Sequence, residues 1–450
     1  MELAQLTTAI RSGAVDTVLV AFPDLQGRPA GKRMTGPFFL DHVVDNGWEA
    51  CDYLLAVDVD MEPLPGYRFA NWEQGYGDMV GILDFSTITE LPWHPGSVLI
   101  MCDLVDHHGA PIEVSPRQIL KRQVERLAER GFTLQCATEL EFYLFNETFE
   151  EASSKGWRGL TPHVSTVEDY QLFQTGRDEK VLKRIRNELL AAGLPVESSK
   201  GEAGRGQHEV VLTYTTPIEM ADRHVILKTG IKEIADQEGC AATFMAKWTM
   251  EDSGSSSHIH ASLWSAEGEP LMDDPSSESG LSTLGQQFLA GQLAAARELA
   301  WCAAPYVNSY RRYVPNSWAP TAIAWGQDNR TCGFRIVGHG AGRRIESRVP
   351  GSDVNPYIAL AAAIAAGIYG IDHGLELPAP FAGNAYVATE VTRLPHTLAE
   401  AIDCFDGSPI AEEAFGPEVH HHLLNTARQE WEKANLHVTD WELARNFERI

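Results

Sequence analysis

Basic residues are in short supply. Lys and Arg total 36 against 62 Asp and Glu, a net charge of −26 with histidine neutral. A surface of that sign repels a phosphate backbone, which excludes nucleic acid as a partner. Cysteine is sparse and scattered: seven residues, at 51, 102, 136, 240, 302, 332 and 404, with no Cys-x-x-Cys pair. An odd, unpaired set excludes a disulfide framework and a structural zinc and implies a reduced, cytoplasmic chain. Long hydrophobic runs are absent too. The longest, Ile358 to Ile371, is short and rich in Gly and Ala, so it reads as a buried helix and not as a membrane span. Met1-Glu2-Leu3-Ala4 offers no basic segment before an apolar core, so no signal peptide is expected. Among nucleotide and nucleophile motifs, neither Gly-x-x-x-x-Gly-Lys-Ser/Thr nor Gly-x-Ser-x-Gly occurs. Gly338-His-Gly-Ala-Gly342 runs into Arg-Arg-Ile-Glu-Ser-Arg, which reads as a strand, so it is not a dinucleotide fingerprint.

What is present is an ordinary globular composition, 44% hydrophobic and 22% charged over 450 residues, long enough for two domains. The most informative stretch is Thr138-Glu-Leu-Glu-Phe142. Phe132, Leu134, Cys136, Leu140, Phe142 and Leu144 alternate with Thr133, Gln135, Glu139, Glu141 and Tyr143. That is the period of a half-buried strand, and it sets two carboxylates side by side on the open face. Two like charges there need a cation or a solvated surface.

In chain order, residues 1–12 read as a helix and Thr17–Phe22 as a strand. The turn Pro23-Asp-Leu-Gln-Gly-Arg28 leads to a second strand near Lys32, and another strand covers Val98–Met101. Residues 44–82 read as loop-rich. Ser115-Pro116 marks a boundary: Ser suits an N-cap and Pro the first helical position. Amphipathic helices are expected from there to Gly131 and over about 178–192, and a long helix over 283–302. His258, His260 and Ser262 alternate onto one strand face, and so do Arg344, Glu346 and Arg348. Glu209 heads a strand, with Glu202 seven residues upstream across a glycine-bearing loop. Together these imply one sheet lining a charged cavity. Carboxylates with an imidazole suit Mg²⁺ or Mn²⁺ better than zinc. Arginines beside them bind carboxylate or phosphate, which is the inventory of phosphoryl transfer.

These residues resemble the glutamine synthetase family over nearly the whole chain. The resemblance rests on Thr138–Phe142, Gly206-Gln-His-Glu209, Ser257–Leu263, Asn308–Arg312, Asp328-Asn-Arg330, Arg344–Arg348 and Asn355-Pro-Tyr357, in the family's order. Asp24–Arg28 and Leu91–Gly96 match as well. It implies an α+β protein, with an N-terminal β-grasp domain over 1–112 and a catalytic domain with an antiparallel sheet over 113–450. It implies ATP and two or more Mg²⁺ or Mn²⁺ ions per site, one held by Glu141, Glu202 and Glu209 and another by Glu139, His258 and Glu346. His260, Ser262, Arg335 and Arg344 would face ATP. Arg312, Gly254 and Ser253 would face glutamate, and Arg330 and Arg348 the phosphate and the γ-carboxylate. A homo-oligomer is implied, a dodecamer of two hexameric rings with sites between subunits.

The chain departs from the family pattern where it would meet the amine. Trp318 stands where a flap glutamate is usual. The first-domain aspartate run is missing from Gly47–Leu54, with Glu49 and Asp52 as possible substitutes, and Ser253 stands where asparagine is usual. An indole closes a site but takes no proton from ammonium. The departures imply the branch that joins glutamate to larger primary amines, such as ethanolamine, other monoamines or polyamines, through a γ-glutamyl phosphate. An ordinary glutamine synthetase and a non-catalytic structural member are the alternatives.

Overall fold

The computed structural model describes all 450 residues. After a helix at Leu3–Ser12 come β1 (Thr17–Pro23), β2 (Pro29–Thr35), β3 (Trp48–Cys51), β4 (Asp78–Leu83), β5 (Thr89–Glu90) and β6 (Ser97–Val105). They form one six-stranded sheet in the order β2-β1-β6-β4-β3, with β5 beside β6. β1 and β6 run parallel and the other neighbours antiparallel, the β-grasp arrangement. The stretch expected as loop therefore contains two strands, β3 and β4.

The second sheet holds β7 (Phe132–Phe145), β8 (Val196–Gly201), β9 (Gln207–Leu212), β10 (Ala241–Thr243), β11 (Ser257–Ser265), β12 (Trp325–Gln327), β13 (Phe334–Val337) and β14 (Arg344–Ser347). Its order is β12-β13-β14-β11-β7-β9-β8, with β10 on β7. It is antiparallel except for the parallel pair β12 and β13. The alternation in β7 is real. Leu134, Cys136, Leu140, Phe142 and Leu144 are buried in the main core, where β7 meets the helices Pro116–Ala128 and Pro217–Gln237. Fully burying each Leu or Phe contributes roughly 1.5–3 kcal/mol.

Two helices differ from expectation. Pro217–Gln237, 21 residues long, carries no single apolar stripe in the sequence because it is buried on several sides, with Met220, Val225, Ile226, Leu227, Ile231 and Ile234 in the core. The helix expected over 283–302 is divided into Thr283–Ala295 and Ala300–Ala303. Between them Arg297 turns to the Arg393 carbonyl, at 2.7 Å, and to Glu400, while Glu298 accepts from Ser408. Ser115 does occupy the N-cap of Pro116–Ala128, but its hydroxyl makes no capping bond and Pro116 alone marks the start. No helix is long and apolar enough to cross a membrane.

The first sheet is locked by polar contacts to the helices that follow it, among them Pro356–Asp372, whose N-cap is Asn355. Gly27, at φ +72°, turns under Asn355, and a Cβ there would meet Asn355 Cα at 3.0 Å. Asn355 Nδ2 in turn donates to the carbonyls of Asp24 and Leu25, at 3.1 Å each. Arg117, 1% exposed, donates to Asp103 and Asp84 at 2.6 Å and to Asp222 at 2.9 Å, tying the first sheet to two helices. Burial opposes the Arg117 charge, but these acids hold its pKa above the ordinary arginine value. Arg117→Met leaves the carboxylates without their shared cation. It should lower stability by about 3–5 kcal/mol, the usual effect of removing one partner of a buried pair. The measurement is the midpoint of urea unfolding. A loss below about 1 kcal/mol, typical of a surface pair, would contradict this account.

Candidate active site

Strand register builds the site. On β8 and β9, Lys200 pairs with Glu209, and on β9 and β7, Glu209 pairs with Glu141. Two residues along β7, Glu139 faces His258 of β11. His260 of β11 faces Glu346 of β14, which faces Arg335 of β13. Six adjacent strands thus present one continuous row of ionic side chains, because side chains two apart share a face. All of them except His260 line a cavity of about 420 Å³.

Two acidic groupings face this cavity. Glu141, Glu202 and Glu209 have ligand atoms within 4.8 Å of one another, and so do Glu139, His260 and Glu346. Burial, then the neighbouring Glu202, pushes the Glu141 carboxyl up to about 8. Burial likewise pushes Glu209 up to about 9, against the pull of Lys200. Lys200 bonds Glu202 and lies 3.8 Å from Glu209, one cation among three acids. A crowd of buried oxygens with too little positive charge is a donor set for a hard divalent ion. In the second grouping His258 Nδ1 lies 3.0 Å from Glu139 and 3.7 Å from Glu346, and His260 Nε2 lies 2.9 Å from Glu139. Either imidazole can therefore join the two acids, where the sequence implied His258 alone. Burial opposes ionisation of Glu139 and Glu346. The histidines hold Glu139 far below the usual range, and His258 with Arg348 holds Glu346 at about 2.

Cations share the cavity with these acids. Arg348 Nη1 donates to Glu346 at 2.5 Å and Arg335 Nη1 at 2.6 Å, so Glu346 is clamped between them. Arg330 is exposed to the cavity and makes no hydrogen bond or ion pair, leaving a free guanidinium for an anion. Arg312 is buried, with its terminal nitrogens on the carbonyls of Val349 and Arg348 and on Ser256, at 2.7 to 2.9 Å. Its Nε has no partner. A side chain at Gly254 would strike Arg312, with a Cβ 2.7 Å from its Cγ, so only glycine fits there. Tyr143 holds the Ser253 carbonyl at 2.6 Å, and Gln207 Nε2 bridges Glu141 and the Gly254 carbonyl at 3.1 and 3.0 Å. Trp318, 59% exposed and at φ +65°, closes one side and its carbonyl accepts from Arg348 at 3.4 Å.

Of the residues singled out in the sequence, Ser253, Gly254, His258, Arg312, Trp318, Arg330, Arg335 and Arg348 line this cavity, as do all the acids. His260, Ser262 and Arg344 lie further along β11 and β14. Arg344 Nε donates to His260 Nδ1 at 3.1 Å, and Ser262 donates to the Arg343 carbonyl at 3.0 Å. Glu49 and Asp52 do not line it; every lining residue falls between Glu139 and Arg348. Sequence reasoning missed Lys200, Gln207, Asp169 and Tyr170. Gln207 was within reach, since it sits in the motif that carries Glu209. The others stand in polar stretches with no periodic signal.

Residues 113–446 match the family description "Glutamine synthetase, catalytic domain". The chain is similar to gamma-glutamylethanolamide synthetase GlnA4 of Streptomyces coelicolor, at 49% identity over 446 residues, 99% of this chain and 96% of that protein. Glutamate–isopropylamine ligase of a Pseudomonas species is 34% identical over 452 residues, 100% of this chain and 98% of that one. Among solved structures, GmaS in complex with ADP matches with a TM-score of 0.86 at 27% identity, over 98% of this chain and 99% of that one.

The crowded acids make a pH-dependent prediction. Glu141 and Glu209 titrate near 4.5 in an unfolded chain and at about 8 and about 9 in the folded, ion-free protein. Between those values the folded state binds more protons, so ion-free stability should fall as pH rises through the window. A divalent ion displaces these protons, so the rise in Tm on adding Mg²⁺ or Mn²⁺ should be larger at about pH 8 than at about pH 6. Glu209→Gln should raise the ion-free Tm at the higher pH and remove most of the metal-induced rise. Thermal melts of both proteins, with and without the ion, check this; a rise independent of pH and of Glu209 would contradict it.

Proposed function

The chain belongs to the glutamine synthetase family, and from that premise we propose that it uses ATP to join glutamate to a small primary amine through a γ-glutamyl phosphate. The observation that carries the reading is the cavity itself: two acidic groupings share it with Arg330, Arg335 and Arg348, and the aromatic ring of Trp318 lines it. The relatives named for ethanolamide and isopropylamine ligation support it.

A carboxylate resists amines because it is anionic and its leaving group would be oxide. Transfer of the terminal phosphoryl of ATP to the γ-carboxylate converts that oxygen into a phosphate leaving group. Two anions must approach for this, and the unpaired Arg330 with Arg348 supplies fixed positive charge where the transferred group sits. Arg312, anchored on backbone carbonyls, with Gly254 and Ser253, positions glutamate. The lone pair of the neutral amine then forms the C–N bond as the C–O bond to phosphate breaks, and the nitrogen releases one proton to the departing phosphate. His260, Ser262, Arg344 and Arg335 line the path along β11 and β14 assigned to ATP. Glu141, Glu202 and Glu209 would hold one divalent ion, Mg²⁺ or Mn²⁺, and Glu139, Glu346 and His258 or His260 another. Bound there, such ions neutralise phosphate charge.

The division into a β-grasp domain, 1–112, and a catalytic domain, 113–450, belongs to the same reading. So does assembly as a dodecamer of two hexameric rings. Assembly is supported by Leu172 and Phe173, apolar side chains 88% and 82% exposed just after the cavity-lining Tyr170 in sequence. Seven free cysteines, five of them buried, support a reduced cytoplasmic setting.

Kinetics with a panel of amines test the proposal. An alkyl stem against Trp318 recovers roughly 0.8 kcal/mol per buried CH₂, about fourfold in kcat/KM. Ethanolamine or a short alkylamine should therefore be turned over well and ammonium poorly. Trp318→Glu should shift preference toward ammonium. Ammonium as the best wild-type substrate, or an unchanged preference in the variant, would overturn the assigned role of Trp318.

A further inference from the structure

A second group of ligand-bearing side chains lies away from the cavity. Gln207 and Glu209 of β9 line the cavity, so His208 between them points to the opposite face of the sheet, where its ring packs 6.0 Å from that of Phe142. Glu168, Asp178 and His208 have ligand atoms within 4.8 Å of one another, and all three residues are 0% exposed. None of them lines the cavity. His163 Nδ1 lies 2.5 Å from one oxygen of Asp178, and His208 Nε2 lies 2.6 Å from the other. Four groups from three stretches of chain thus meet behind β9, two carboxylates and two imidazoles.

Local backbone seats each of them. His163 N donates to the Leu144 carbonyl at 2.8 Å, Val167 bridges to Arg205, and Asp178 stands at the N-cap of the helix Glu179–Ala191. Gly201 of β8 approaches so closely that a Cβ there would stand 2.9 Å from Glu168 Cβ. Asp178 is satisfied, with an imidazole on each oxygen. Glu168 is not: both of its carboxylate oxygens are buried without a hydrogen-bond partner, and so is His208 Nδ1. A buried carboxylate with neither donor nor cation is costly, and native folds complete such groups with a partner.

We propose that Glu168, Asp178, His208 and His163 bind a structural divalent transition-metal ion of the Zn²⁺ class. Ligands about 2 Å from one ion stand up to ~4 Å apart, so closing on it takes a small rotation of these side chains. Imidazole beside carboxylate favours such an ion over Mg²⁺. Two carboxylates offset the charge of a divalent ion, so with neutral imidazoles the buried assembly is neutral. No thiolate takes part, unlike the cysteine-based zinc sites that the scattered cysteines exclude. Residues 155–178 contain one short helix, Leu172–Thr175. The ion ties this stretch to β9 and to the start of the helix Glu179–Ala191, behind the strand that carries Glu209. It is a site separate from the acids of the cavity and does not depend on the ligase reading.

Zinc binding to the full chain tests this, by equilibrium dialysis in excess Mg²⁺, with thermal melts alongside. Glu209→Gln removes zinc held by the cavity acids. In that background a single zinc ion should still bind and raise Tm. Adding Glu168→Gln should weaken this binding by more than about a hundredfold, beyond the tenfold to hundredfold loss for groups that only bond a ligand, and should abolish the rise in Tm. His163 has a side chain 24% exposed, so His163→Gln disturbs the core least; it should weaken zinc binding by at least about tenfold. It decides the matter alone if Glu168→Gln does not fold. No zinc bound by Glu209→Gln, or zinc bound with unchanged affinity once His163→Gln or Glu168→Gln is added, overturns the proposal.

Discussion

Everything in the second sheet answers to one electrostatic constraint: Glu139 and Glu141 share a face of β7, and neighbouring strands add more acids beside them. Glu209 stands directly opposite Glu141. Like charges in cross-strand pairs are destabilising, so this face is no structural device. The apolar face of the same strand provides the stability, and the open face carries the function. Lys200, Arg335 and Arg348 set positive charge among the acids but do not offset the burial of Glu141 and Glu209, whose pKa values stay raised. The fold thus maintains, within one cavity, a standing demand for cations at the acids and for anions at Arg330. A site that must bring two anions together before an amine attacks needs that separation of sign, fixed in advance and not reorganised during reaction.

Antiparallel register is what makes the arrangement exact enough. A slip of one residue in β11 against β7 would turn His258 and His260 to the core and bring Ile259 to the cavity. The apolar alternation of each strand forbids that slip, so the packing of Leu140 and Phe142 on one face specifies the positions of Glu139 and Glu141 on the other. Precision at the site is inherited from burial behind it. The loops add what strands cannot: Gly254 lets Arg312 pass beneath it, and Gly27 lets the first sheet dock on Asn355.

Legibility in the sequence followed periodicity. β7, β11 and β14 were readable because one face is apolar and the other carries unlike residues, and the acids, histidines and arginines on them were all placed in advance. The Pro217–Gln237 helix was invisible because burial on several sides erases the stripe. β8, with the sequence Val-Glu-Ser-Ser-Lys-Gly, was invisible for the opposite reason: it is a polar edge strand with an irregular register near Val196. Lys200 was missed with it. Asp169 and Tyr170 lie in a segment of no regular structure, where the signal is a positive φ and a close approach to Gly201, and neither is written in residue type. Trp318 was found by comparison with a motif; its strained backbone became visible only in three dimensions.

The aromatic substitution at Trp318 therefore does more than delete a carboxylate. Removing an acid from a cavity that takes a cationic substrate leaves an electrostatic deficit, and an indole meets only part of it through its π face. On the amine-ligase reading, an exposed indole at this wall favours a substrate that carries carbon over bare ammonium, because the stem gains an apolar surface while ammonium gains only the π face.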